Sequence, residues 1–385
     1  MSFGIYIHIP YCVTKCPYCD FNSYGVGGRF PEKEYTESIL HELEFYRSEI
    51  QGARLSSIFF GGGTPSLFDP RSIEKIISKI YQITCPVDNL EVSLEVNPKT
   101  ADLEKLKGLR SAGINRISVG IQSFSKRKLS FLGRINAPED SRGILKDIIN
   151  AGFKNYSMDL MYGTKDETLS EWEADLKEAL GFDFPHISAY CLTIEDGTEF
   201  GKRYALGKLK LPTDEKLADF IIYTTEFFED AGYRQYEISN YSKHGFECRH
   251  NMLYWRGESY LGLGAGAHSH SAMGNSSFWG KRWANLRNPA LYMKTVNEEK
   301  KPLDFTEELK REEVIEDKVL MGLRLKDGID ILELENTFQL KANMDKVGHL
   351  VRDGFLEYSD SSIRLTKKGN LLSNAVILRF VEALN

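Results

Sequence analysis

The run Cys12-Val13-Thr14-Lys15-Cys16-Pro17-Tyr18-Cys19 governs how the rest of the chain is read. It places three cysteines within eight residues. A cubic 4Fe–4S cluster ordinarily takes four cysteines, so three close thiolates leave one iron open to another ligand. The competing reading is zinc, whose structural sites join two cysteine or histidine pairs. Cys85, Cys191 and Cys248 are scattered and supply no second pair.

The C-x3-C-x2-C spacing resembles the signature of radical S-adenosylmethionine (SAM) enzymes. In that superfamily the amine and carboxylate of SAM chelate the open iron. An aromatic residue precedes the last cysteine there, and Tyr18 fills that place here.

The chain has 385 residues, 42% hydrophobic and 27% charged, enough for two or three ordinary globular domains. A net charge of −6 is no footprint of a general nucleic-acid binder. The cysteines imply a reducing compartment. The start Met1-Ser2-Phe3-Gly4-Ile5 lacks a basic n-region, and no apolar run reaches the ~20 residues of a membrane span. A cytoplasmic protein is expected.

Short β-rich runs at 3–9, 55–60, 90–96, 116–121, 155–160 and 186–190 alternate with amphipathic patterns near 32–50, 70–83, 101–112, 125–132, 138–151 and 168–180. Such alternation implies a parallel sheet. Six units are too few for a complete eight-stranded barrel. The fold expected is α/β: a partial (β/α)6 TIM-like barrel over 1–212, which is also the core radical-SAM families use. A mixed α+β extension over 213–300 follows. Glu298-Glu299-Lys300-Lys301-Pro302 marks the next boundary. Beyond it, helices precede two short strands around Asp360-Ser361-Ser362, so 301–385 reads as a winged-helix-like C-terminal domain.

Gly61-Gly62-Gly63-Thr64-Pro65 follows the second strand, where glycines let backbone approach a ligand closely. Gly62, Gly63 and Thr64 are therefore candidates to hold the SAM amine. Glu95, Gln122 and Asp159 close the next three strands, the positions that build a barrel-top site. Arg134 offers a guanidinium for the SAM carboxylate. Tyr6 shares a strand face with His8 and is expected beside SAM.

Together these features resemble the coproporphyrinogen III oxidase-like radical-SAM family from residue 3 to about 376, through Ile363-Arg364-Leu365-Thr366-x-x-Gly369. One branch decarboxylates coproporphyrinogen III. It carries a further cysteine two residues after the third and a longer segment before the cluster. Phe21 stands at that position, and eleven residues precede Cys12. The other, haem-chaperone branch carries H-N-x-x-Y-W, which reads here His250-Asn251-Met252-Leu253-Tyr254-Trp255. On that resemblance His250 is the expected axial ligand of haem iron, with Tyr254 and Trp255 packing the ring. His268 and His270 follow another strand and are candidates to line the same cavity, or to pack.

The resemblance therefore implies a haem chaperone with a 4Fe–4S cluster, SAM, and haem as cargo. Its implied partners are haem-accepting respiratory enzymes, met at the membrane through those partners, and an electron donor or bacterioferritin-like haem source. A homodimer is compatible with this. The alternatives are the decarboxylating dehydrogenase and a radical-SAM enzyme that modifies nucleic acid. Arg364, Lys367 and Lys368 give the latter only a small basic cluster.

Overall fold

The computed structural model describes residues 2–272, 274 and 277–384. Six strands, Ser2–Ile9, Arg54–Gly62, Cys85–Val96, Arg116–Gln122, Asn155–Tyr162 and His186–Cys191, pair in parallel in chain order. All six expected strands are present, with the expected helices between them.

Period-two alternation explains why these runs form a curved, two-faced sheet. One face carries Ile5, Ile7, Ile58, Phe60, Val92, Leu94, Ile117, Val119, Met158 and Leu160, all buried. Each contributes about 1.5–3 kcal/mol on leaving water. They join one core with helices such as Pro70–Ile83, which buries Ile73, Ile76, Ile77, Ile80 and Ile83 at helical spacing. Asp69 caps that helix by accepting from the Arg71 amide at 2.8 Å. The other face is polar. Ser57, Ser93, Ser118, Ser157 and Ser188, one on each of five strands, are buried. A complete barrel fills this space with branched apolar residues. Here short hydroxyls line it instead.

The sheet grows at both edges. Asn240–Ser242 and Arg234–Gln235 extend it antiparallel beyond the sixth strand. Tyr260–Leu263 pairs in parallel with the far side of the first strand. His268–Ser271, Gly280–Asn285 and Leu303–Leu309 then follow antiparallel. Among the described residues this is one 12-stranded sheet. The region 213–300 thus supplies strands on both sides of the barrel sheet, with Leu303–Leu309 as the outermost strand on one side. Leu303–Leu309, beyond the boundary read at residue 301, hydrogen-bonds to Gly280–Asn285.

A second apolar core begins at Ile315 and joins Val319, Leu334, Val347, Leu350, Ile363 and Phe380. Helices Arg311–Gly322, Ile331–Phe338 and Met344–Arg352 surround it with the hairpin Leu356–Ser359 and Ser362–Leu365. Asp360 and Ser361 both take positive φ, as a tight two-residue hairpin turn requires. Ile329–Asp330 adds a third strand, giving the helices-plus-wing layout expected. No helix of the described residues is long and apolar enough to cross a membrane.

Candidate functional site

The cysteine loop leaves the first strand at the C-terminal mouth of the barrel. Tyr11–Cys12 pairs with Tyr24–Gly25, which closes the loop at its base. The glycine turn docks beside it: the Gly63 amide donates to Ile9 O at 2.7 Å, and the Thr64 amide to Tyr11 O at 2.8 Å. A Cβ on Gly63 would lie 2.7 Å from Tyr11 O, and one on Gly62, at φ +109°, 2.5 Å from the His8 ring. No other residue type fits either place without displacing backbone or a buried ring.

Each thiol has a donor nearby. The Thr64 hydroxyl donates to Cys12 Sγ at 3.4 Å, Arg134 Nη1 lies 3.9 Å from Cys16 Sγ, and Ser23 Oγ lies 3.8 Å from Cys19 Sγ. Burial raises the Cys12 and Cys19 thiols above their usual pKa, and these hydroxyls oppose it. A bound metal deprotonates such a thiol outright. Among the described residues no three His, Cys, Asp or Glu side chains converge as ligands of a single ion. Tyr18 sits between Cys16 and Cys19 with its ring 6.4 Å from that of Phe200.

The strand ends meet the loop through hydrogen bonds. Asn97 Nδ2 donates to Thr64 Oγ1 at 3.0 Å. Arg134 Nη2 donates to Asn97 Oδ1 and to Gly120 O, each at 2.6 Å. Arg134 Nε is buried and has no partner, and Ser93 Oγ is likewise unpartnered. Gln122, at φ +66°, folds back beside Gly120. Asn97 was not singled out from the sequence, although it closes the same strand run as Glu95.

Two carboxyls lie inside the mouth. Glu95 Oε2 accepts from the Gly62 amide at 3.1 Å. Burial first, and the Asp159 charge second, push its pKa to about 8. Asp159 accepts from Ser118 Oγ at 3.1 Å and from Ser157 Oγ at 3.4 Å, and burial raises it too. Buried acids so placed favour a cationic ligand, whose charge restores the ionised form. The Tyr6 hydroxyl and His8 Nδ1 are 3.0 Å apart, and His8 Nε2 lies 2.8 Å from Asn22 O. A carbonyl only accepts, so His8 donates from Nε2 and receives the Tyr6 proton at Nδ1.

At the opposite, N-terminal end, helix Arg249–Trp255 plugs the barrel. Glu91 accepts there from the Arg249 amide at 3.1 Å and the His250 amide at 3.2 Å, and Cys248 Sγ lies 3.6 Å away. His250 is only 1% exposed. Its Nδ1 lies 2.8 Å from Ser57 Oγ and its Nε2 2.9 Å from the Tyr254 hydroxyl. The ring stacks on Phe59, and burial lowers its pKa to about 3. Each ring nitrogen of His250, the residue expected to ligate haem iron, thus lies within hydrogen-bond distance of a hydroxyl. Tyr254 and Trp255 instead reach the wall of a large cleft.

That cleft, of about 1700 Å³, lies between the sheet extension and the C-terminal helices. Asp20, Phe21 and Asn22, which follow the last cysteine, form part of its wall, and so do Tyr6 and His8. His268 and His270 line it from the sheet.

The radical SAM superfamily model matches residues 6–179, and the HemN C-terminal domain model matches residues 309–372. The chain is 36% identical to the heme chaperone HemW of Haemophilus influenzae, with 98% of this chain and 97% of that protein aligned. It is 40% identical to the heme chaperone HemW of Escherichia coli over 69% of each. The coproporphyrinogen III oxidase HemN of Escherichia coli, a radical SAM enzyme, shares its fold with a TM-score of 0.83 at 22% identity, covering 98% of this chain and 89% of that one.

Proposed function

Because the chain belongs to the HemW family within the radical SAM superfamily, we propose that it binds haem and passes it to haem-dependent enzymes. In this reading Cys12, Cys16 and Cys19 cap three irons of a 4Fe–4S cluster. Gly62, Gly63 and Thr64 admit the SAM backbone atoms, Glu95 and Asp159 face its positive charge, and the unpartnered Arg134 Nε meets its carboxylate. Gln122 and Tyr6 complete the rim, and Tyr18 shields the cluster side. When bound, a cluster of this kind supplies an electron to the sulfonium of SAM.

The observation that carries the haem reading is a shared wall. The residues directly after Cys19 also line a cleft larger than the ~300–1,000 Å³ of ordinary ligand pockets. A cluster and a macrocycle can thus be sensed by one loop. The acceptors we propose are respiratory enzymes, reached by a cytoplasmic carrier through contacts with those partners.

The test is a haemin titration beside a coproporphyrinogen III turnover assay on anaerobically reconstituted protein. Low-micromolar binding, worth roughly 8 kcal/mol, and no decarboxylation are expected. Cys12→Ala should abolish the bound iron and sulfide. Sustained decarboxylation would replace this reading with the second one, a coproporphyrinogen dehydrogenase, which the fold shared with HemN favours.

A further inference from the structure

The cleft beside the cluster loop carries more than volume. Among the described residues, the exposed Phe and Trp side chains are Phe21, Trp279 and Phe305, at 61%, 42% and 43%. All three line this cleft. Apolar rings left in water at one concave site mark a binding surface, and flat rings suit a flat macrocycle. Arg256 and Arg287 line the same walls, and neither makes an ion pair among the described residues. They are the counterparts a dicarboxylate porphyrin requires.

One side chain there is prepared as a metal ligand. His270 Nδ1 lies 3.1 Å from the backbone carbonyl of Glu258. The carbonyl can only accept, so Nδ1 carries the proton and Nε2 keeps its lone pair. Metal-binding histidines are oriented in this manner, with the second nitrogen donating to a carbonyl or carboxylate. His250 shows the opposite condition, with both nitrogens engaged.

We propose that this cleft is the cargo site and that His270 Nε2, not His250, is the protein ligand of the haem iron. This rests on the haem-carrier reading above. Phe21, Trp279 and Phe305 supply ring contacts, and Arg256 and Arg287 receive the propionates. Because Phe21 belongs to the cysteine loop, haem occupancy and the state of that loop are mechanically joined.

The test uses full-length, cluster-loaded protein titrated with haemin and followed by the Soret band. His270→Asn keeps a donor for the Glu258 carbonyl and removes the iron ligand. It should shift the band and weaken binding at least tenfold, with iron and sulfide unchanged, and added imidazole should restore the band. Trp279→Ala, at an exposed position, should weaken binding about threefold without moving the band. His250→Asn should leave the band in place. A band moved by His250→Asn or His268→Asn but not by His270→Asn overturns this assignment while leaving haem carriage intact. A parent protein that takes up no haem overturns the carrier reading and this site with it.

Discussion

Both ends of the barrel interior are polar, yet their polar atoms are bound differently. At the C-terminal mouth, Arg134 Nε is buried without a partner, and Glu95 is held far above its usual pKa. At the N-terminal foot, Glu91 gathers two helix amides and faces the Cys248 thiol, and His250 has a hydroxyl at each nitrogen. Unpartnered atoms occur at this level too: Arg116 Nε, 3.9 Å from Glu91, and Ser93 Oγ and Asn155 Oδ1 on its register neighbours. An unmet buried group such as Arg134 Nε is a candidate to meet a ligand, whereas His250 has both ring nitrogens met. Two motifs that look equally functional in sequence, the cysteine loop and H-N-x-x-Y-W, separate on this criterion.

The comparison breaks most readily at Glu91. Its side chain and that of Arg116 are 4% and 2% exposed. Glu91→Ala would take the nearer carboxylate from a buried guanidinium, leaving it only Asp159, and would leave two helix amides without an acceptor. The expected loss is about 3–5 kcal/mol of unfolding free energy. Denaturant melts measure it. A loss below about 1 kcal/mol would mean that the foot is wet and loosely held, and the contrast with the mouth would collapse.

Glu95 tests the mouth. Glu95→Gln should weaken SAM binding at least tenfold, about 1.4 kcal/mol, with iron content intact. The pH dependence sharpens this. The folded pKa, about 8, lies above the usual unfolded carboxyl value. The folded protein therefore holds the Glu95 proton where the unfolded chain has released it. The stability this contributes is complete below the unfolded pKa and is lost as pH rises through the folded one. Without SAM, the parent should lose stability relative to Glu95→Gln as pH rises from about 5 to 9. Facing groups that share the field are Asp159, Tyr6 and Tyr254. SAM binding should release a proton, which calorimetry in two buffers would detect. Parallel pH profiles for parent and variant would refute the placement.

The barrel was legible because its signals are local. Period two exposes six strands, the glycine run closes one of them, and sequence spacing alone puts Cys12, Cys16 and Cys19 on one loop. Asp360-Ser361 likewise announces its hairpin turn. What stayed hidden depends on distant partners. Nothing near Tyr260–Leu263 says that it lies parallel to Ser2–Ile9. The inward serines could have been found by counting two residues back from Glu95 to Ser93 and from Asp159 to Ser157, yet Asn97 needs Arg134 and Thr64 in view. H-N-x-x-Y-W pointed to His250 because a histidine among aromatics reads as a ligand. Only the fold shows Ser57 and Tyr254 occupying it. The cleft is made by two regions more than 200 residues apart in sequence, at Phe21 and Trp279, so no local pattern could outline it.

The finest test of the contrast is Ser57→Ala. It removes the hydroxyl 2.8 Å from His250 Nδ1 and leaves the neighbouring backbone unaltered. A net hydrogen bond of this kind contributes about 1 kcal/mol, so the melt should shift by that much, less than for Glu91→Ala. Tyr254 would still hold the ring at Nε2. SAM affinity and the position of the haem Soret band should not change, because the altered atom serves the plug and no ligand. If the band moves in Ser57→Ala, His250 is touching iron after all, and the foot must open when cargo binds. If the melt is unchanged as well, the hydrogen bond stabilises nothing, and the saturation of His250 no longer argues for a structural role.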